Sequence, residues 1–218
     1  MSGRARDPTP RRAGRPRTTT PRDALIRAAV AAFADSGYAA ASLDRIADAA
    51  GIRKSSLLHR FGSKEALYLE SLAAVLGRLG EMVAAAADGR GSFPDRLDRL
   101  SGVITDYLFE VPAAARLLFR EVMDRGPLFA KADGSVFEAV IATAIAFLQA
   151  GVEAGELELS DAADTVMSIA GIHLTYFAAH ELSERARGES VFSDAAHARR
   201  RSEVIEQVRR LCGVASPG

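Results

Sequence analysis

The chain has 218 residues, 48% apolar and 26% charged, which supplies a sizeable core and excludes disorder throughout. Its one cysteine, Cys212, excludes an internal disulfide or multi-cysteine metal site, no apolar run reaches the roughly 20 residues of a membrane span, and no signal peptide follows the basic N-terminus, so a cytoplasmic protein without membrane association is expected. The 28 basic and 28 acidic side chains cancel, which at face value argues against a nucleic-acid partner.

Residues 1–20 are rich in Arg, Pro, Thr and Gly and read as a mobile basic arm that cannot bury enough surface to order itself. Helical text begins at Thr20, a potential N-cap, with Pro21 at the first helical position and Ile26, Ala29, Val30 and Phe33 at helical spacing, and Gly37 predicts its end. Ser42 caps a second, short helix with Leu43, Ile46, Ala47 and Ala50 on one face, stopped by Gly51. A third covers residues 53–60 with Leu57 inward. Gly62 breaks it, and Ser63 caps a longer helix carrying Leu67, Leu72, Val75, Leu76 and Leu79.

The run 88–92, rich in Gly, Asp and Ser, is a loop. Beyond it Leu97, Leu100, Ile104, Tyr107, Leu108 and Val111 mark a helix that Pro112 ends, and another covers residues 113–124 before Gly126-Pro127. Phe137, Val140, Ile141, Ala144, Ile145 and Leu148 mark the next, closed by Gly151 or Gly155. Ser160 caps a helix presenting Val166, Ile169, His173, Tyr176 and His180. The last turns Val204, Ile205, Val208 and Leu211 inward and Arg199, Arg200 and Arg201 outward, ending at Gly213. No stretch alternates as a strand does, so the chain reads as all-α.

The charge is not spread evenly along this order. Residues 1–60 hold 12 Arg or Lys against five Asp, a balance of +7, which leaves −7 for residues 61–218. A basic end and an acidic remainder suggest a polyanion-binding part and a second part with another task.

Two short helices joined through Gly51 form a unit that can set its second helix in a DNA major groove. Ala47 is small where the helices cross, Gly51 permits the turn, and Ile46, Ile52 and Leu57 hold the second helix to the core. Three runs carry a closer likeness: Phe33-Ala34-Asp35-Ser36-Gly37-Tyr38, the stretch from Ser42 through Asp44-Arg45-Ile46-Ala47 to Gly51-Ile52, and Leu57-Leu58-His59-Arg60-Phe61-Gly62-Ser63-Lys64-Glu65-Ala66-Leu67-Tyr68. Residues 21–68 thus resemble the DNA-binding domain of the TetR/AcrR family of bacterial transcriptional regulators. The resemblance implies a homodimer whose recognition helices read a palindromic operator on double-stranded DNA, and a variable C-terminal helical domain that binds a small-molecule effector and dimerises. The expected division is an arm at 1–20, a helix-turn-helix domain at 21–82 and a ligand-binding and dimerisation domain at 83–218. Two positions depart from the family pattern. Arg53 stands where a Ser or Thr usually caps the recognition helix, leaving Ser55 or Ser56 to cap from a shifted position. Leu58 replaces a phosphate-contacting aromatic and is left to touch a thymine methyl or to pack.

Candidate DNA contacts are Arg53, Lys54, Ser55, Ser56, Leu58, His59 and Arg60 on the recognition helix, Ser42 at the preceding N-cap, and Lys64 at the next helix N-terminus, where family members share a phosphate with the backbone amides. In the arm, Gly14-Arg15-Pro16-Arg17 is similar to minor-groove AT-hook peptides, which puts Arg15 and Arg17 among the candidates beside the plainer reading of a tail held by charge. Pocket candidates are the aromatic and Met side chains Tyr107, Phe119, Met123, Phe137, Phe147, Met167, Tyr176 and Phe177, with His173, for an effector of largely apolar character. His173 and His180, seven apart, share a helix face and with Glu121 or Glu138 could meet a metal, but two His without a recognisable carboxylate spacing are more commonly core or interface residues, so no metal or cofactor is assigned. Gly171 and Ala178, which let helices approach closely, and Val204, Ile205, Val208 and Leu211 are candidates for the dimer interface that the resemblance puts on the last two long helices. No nucleophile elbow, phosphate loop or H-E-x-x-H helix is present, so an enzyme is not expected. The leading reading is a ligand-released dimeric repressor. The alternatives are a helical small-molecule-binding protein or enzyme with an incidental helix-turn-helix, and a regulator without a ligand.

Overall fold

The helical periodicity is realised along the whole chain that the structure, a computed structural model, describes: residues 22–129 and 136–214. Among the described residues there are ten helices and no strand: α1 (Arg22–Ala40), α2 (Leu43–Ala49), α3 (Lys54–Phe61), α4 (Lys64–Ala87), α5 (Phe93–Glu110), α6 (Pro112–Met123), α7 (Val136–Glu153), α8 (Ala162–Ala178), α9 (His180–Arg187) and α10 (Asp194–Leu211). The expected start at Thr20 and Pro21, and the arm with Arg15 and Arg17, lie outside the described residues.

Gly37 ends the first run of helix, as its position predicts, and α1 is two helical runs joined across a kink there. The glycine's backbone takes φ 73 and ψ 167, a conformation open to glycine, and the helix resumes to Ala40. Arg120 of α6 holds the turn before the kink: its Nε donates to the Ala34 carbonyl (2.7 Å) and its Nη2 to that of Asp35 (3.0 Å).

The apolar faces meet in two connected cores. The first joins α1 (Leu25, Phe33), α2 (Ile46), α3 (Leu57, Phe61) and the first half of α4 (Leu67, Leu72, Val75) to Leu108 of α5, Leu117 and Leu118 of α6 and Phe177 of α8. The second joins the other half of α4 (Met82, Val83, Ala86) to α5, α7, α8 and, from α10, Val204 and Val208. Helix α4 therefore belongs to both, and a division at residue 82 falls inside it.

Four sequence expectations need correcting. The side chain that caps α8 is Asp161, which accepts from Asp164 N at 2.7 Å, and not Ser160. α8 ends at Ala178, so His180 opens the separate helix α9 and shares no helix with His173. Arg200 is half-buried and not turned wholly to solvent. Its guanidinium lies over the Tyr176 ring, 4.3 Å from the centroid, and donates to the Ile172 carbonyl. Finally α7, whose mean hydropathy is 1.6, is long and apolar enough to cross a membrane by length and composition, although here it gives Phe147, Leu148 and Gly151 to the core.

Candidate DNA interface and ligand cavity

Helices α2 and α3 meet through a tight turn. Gly51 sits at φ 68, its N–H reaching Asp48 O (3.0 Å), and Ile52 N donates to Ala47 O (2.9 Å). Ser42 caps α2 through its hydroxyl, which accepts from Arg45 N at 3.5 Å. For α3 the cap position is Arg53, which makes no side-chain cap bond, so the expected shift of that role to Ser55 or Ser56 does not occur. What fixes α3 is burial. Leu57 is 1% exposed and Phe61 is buried one turn later, each such side chain stabilising by roughly 1.5–3 kcal/mol over exposure. Phe61 also lies under the Arg22 guanidinium, 4.9 Å from its ring centroid.

With Leu57 and Phe61 inward, the opposite side of α3 presents the rest of the sequence candidates. Arg53, Lys54, Ser55 and His59 are exposed, and Ser56, Leu58 and Arg60 half-buried. Lys54 Nζ pairs with Asp44 of α2 at 2.9 Å, both side chains largely in water, so the pair costs little to exchange for a phosphate. Leu58 stands outside the apolar core, on the outward side. Lys64 is tied back: its Nζ donates to the Ala39 carbonyl (2.9 Å) and lies 5.2 Å from the Tyr38 ring centroid, while Ser63 caps α4 by accepting from Ala66 N (3.0 Å). Lys64 thereby fastens the end of α1 to the start of α4.

A second linkage joins α4 to α6. The Tyr68 hydroxyl donates to Glu121 Oε2 at 2.6 Å, and Phe129 N donates to Glu121 Oε1 at 2.6 Å. Burial first, then the hydrogen bond to Glu121, hold the Tyr68 phenol far above its ordinary range. Arg116 of α6 bridges further, with Nη1 on Asp35 of α1 (3.1 Å) and Nη2 donating to His180 Nδ1 of α9 (3.0 Å). Glu121 and Arg116 carried no sequence signal for this task, since their partners are 53 and 64–81 residues away.

Between α4, α5, α7 and α8 lies an apolar cavity of about 140 Å³. Its walls are mainly aliphatic: Leu79 and Val83 from α4, Leu97, Leu100 and Ile104 from α5, Val140, Ile141, Ala144 and Leu148 from α7, and Val166, Ile169 and Leu174 from α8. Of the candidates proposed from sequence, it brings together Phe147 and His173. Met123, Met167 and Phe119 are instead on the surface, 73%, 57% and 37% exposed; Phe177 is in the first core, with Phe137 and Tyr176 packed against it. Tyr107 packs against both cores and lines a wider groove of about 1410 Å³ between α1, α4 and α5, which is open to solvent and carries charges of both signs, among them Arg22, Arg96, Glu70 and Glu110. Sequence reasoning missed the aliphatic walls because a helix facing a cavity has the same apolar period as one facing a core.

His173 is 3% exposed. Burial, with a smaller push from Arg200, lowers its pKa to about 3, so it is neutral. Thr105 Oγ1 donates to the Ser101 carbonyl (2.8 Å) and stands 3.5 Å from His173 Nδ1. No group of three or more His, Cys, Asp or Glu able to hold a metal occurs among the described residues, and His173 and His180 stand on different helices.

The dimer candidates divide. Val204 and Val208 are 0% and 1% exposed within the chain's own core and cannot meet a second copy. Leu211 is exposed, Ile205, Gly171 and Ala178 are half-buried, and a side chain built on Gly171 would meet open space.

Residues 25–71 match the bacterial regulatory proteins of the tetR family, and residues 94–208 match the tetracyclin repressor-like C-terminal domain. HTH-type transcriptional repressor KstR2 of Rhodococcus jostii (strain RHA1) is 40% identical over 75 residues, 33% of this chain and 37% of that protein. HTH-type transcriptional regulator RutR of Escherichia coli (strain K12) is 30% identical over 137 residues, 62% of this chain and 63% of that protein. The chain therefore spans less than two thirds of the length of either relative. Among solved structures, SCO4942 of Streptomyces coelicolor superposes with a TM-score of 0.65 at 26% identity, over 88% of this chain and 98% of that one. FadR of Bacillus subtilis, solved with stearoyl-CoA, does so at 0.67 and 15% identity over 88% and 99%, a likeness of fold. The relatives are regulators and not enzymes. Matched at its helix-turn-helix and again across more than half of its length, the chain belongs to the TetR family of bacterial transcriptional regulators.

Proposed function

We propose that the chain works as a homodimer that lays α3 of each copy in the major groove of a palindromic operator, represses the adjacent gene, and releases the DNA when a small apolar effector enters the cavity. The observation that carries this reading is the course of α4. Its first turn is fastened beside α3 and α1, and its second half walls the cavity through Leu79 and Val83. A ligand wedged against Leu79 and Val83 tilts α4, and two recognition helices that must sit one DNA turn or a multiple apart then lose simultaneous docking.

In this reading Arg53, Lys54, Ser55, Ser56, His59 and Arg60 meet phosphates and base edges, Lys64 adds a phosphate contact, Ser42 holds α2 in place, and Arg15 and Arg17 follow the minor groove. The two copies meet through the outward sides of α8 and α10, including Gly171, Ala178, Ile205 and Leu211. The repressor assignment draws on the name of KstR2; FasR of Mycolicibacterium smegmatis, 35% identical over 102 residues, is named an activator. A mobility-shift assay on the DNA upstream of the chain's own gene tests the reading. A shift that survives unlabelled random competitor at moderate salt, and is lost in Ser55→Ala/His59→Ala, is expected; no specific shift removes the proposal.

A further inference from the structure

The cavity between α4, α5, α7 and α8 offers a ligand nothing but hydrocarbon. Ser101 and His173 stand among its walls, yet no polar atom reaches its surface. A hydroxyl, amide or carboxylate brought inside would give up its water and find no partner. The elements around the cavity repeat this exclusion for charge. Neither α7 nor α8 carries a Lys or Arg, and α7 has no charged residue between Glu138 and Glu153. The arginines of α5 do not fill the gap. Arg96 and Arg99 line the open groove toward α1, where Arg96 donates to the Ala86 and Ala87 carbonyls and Arg99 to that of Arg90. Arg200, which reaches α8 from α10, is engaged with the Ile172 carbonyl and the Tyr176 ring. An anionic head group has no cation to meet among these walls.

Size sets the other limit. At about 140 Å³ the cavity matches apolar cavities of roughly 150 Å³ that stay dry and take up benzene or xenon. We infer that the ligand of this cavity is a bare hydrocarbon of benzene's or toluene's size, an arene or a short branched alkane, without any hydrogen-bonding or charged group. Leu100, Ile141, Phe147 and Val166 hold it by contact alone, and Leu79 and Val83 carry its presence to α4. Its part as effector rests on the ligand-released regulator reading, which it narrows. Stearoyl-CoA, with which the structural neighbour FadR was solved, fits on neither count, being far larger than this space and multiply charged.

The probes are toluene, phenol, in which a hydroxyl replaces the methyl, benzoate, which is charged, and xenon. In calorimetric titration of the full chain toluene should bind at least about tenfold tighter than phenol, the consequence of burying a hydroxyl with no partner, and benzoate should not be taken up. Ala144→Met, which fills the space from α7 with a flexible side chain, should weaken toluene about tenfold or more. A measurement on the unaltered protein covers the case in which that variant misfolds. Xenon should move the methyl resonances of Ile141, Leu148 and Val166 and leave those of Leu25 and Leu57, in the first core, in place. Phenol binding as tightly as toluene, uptake of benzoate, undiminished toluene binding in a folded Ala144→Met, unmoved cavity methyls or no binding of any probe overturns the inference. The mobility-shift assay, run with and without toluene, keeps the two readings apart. A specific shift without hydrocarbon binding removes this inference and leaves the DNA-binding regulator. Hydrocarbon binding without a shift keeps the ligand class and removes the operator, and a shift that bound toluene fails to release keeps the ligand class and removes the release.

Discussion

At His173, burial and the nearby Arg200 charge act in the same direction, and the result is a pH dependence that one residue carries. Above the ordinary histidine value of 6.5 the ring is neutral in folded and unfolded chains alike and contributes no slope. Below it the unfolded chain takes up a proton that the folded chain refuses down to about 3, so stability falls with acidification across that window. His173→Leu removes this term. The stability difference between the two proteins should move by about 2 kcal/mol in favour of the variant between pH 7 and pH 4.5, read from urea midpoints, and a constant difference would contradict the buried neutral ring. The sequence pattern put His173 on an inward face and named it for the pocket. It could not give the neighbour that its Nδ1 meets, Thr105, 68 residues away. Arg200 is the converse case. Patterns of apolar residues treat every arginine as outward, yet its guanidinium covers Tyr176 and donates to the Ile172 carbonyl.

At the level of elements, most of the helices could be read from caps and periods: Ser42, Ser63, Val111-Pro112 and Gly62 stand at or next to the observed ends. The break between α8 and α9 could not. No glycine or proline marks it, and Ala179 is a good helix former taking φ −108 and ψ 37. What holds it are distant partners of His180, the Arg116 guanidinium and the Phe192 ring. The outward side of α8 bears on assembly. Gly171 has open space around it within the chain, so Gly171→Arg should fold, gaining helix propensity, while setting two charges against each other in a dimer built on this face. Sedimentation should then find a monomer with an undiminished helical spectrum, and an intact dimer would move the interface elsewhere.

On the scale of the molecule, the opposed balances of +7 and −7 fit the proposed reading, in which the basic end turns toward DNA and the acidic remainder away. Deleting residues 1–19 removes Arg4, Arg6, Arg11, Arg12, Arg15 and Arg17, and should both weaken binding and flatten the dependence of log affinity on log salt, by about 0.9 for each phosphate that the arm no longer neutralises. An unchanged slope in salt-titrated anisotropy denies the arm a part in binding. The cavity was the least legible feature at this scale, because it arises where four helices fail to close on one another and no single helix records that. The first core was half legible: the inward residues of α1 to α4 were readable, their cover by α6 and α8 was not. That cover has a practical side. Leu117, Leu118 and Phe177 complete a surface that Leu25, Phe33 and Tyr68 would otherwise offer to water. The reading head is therefore no free-standing cassette, and a chimera grafting it onto a foreign sensor must import α6 with it or redesign the flank of α1 that α6 shelters.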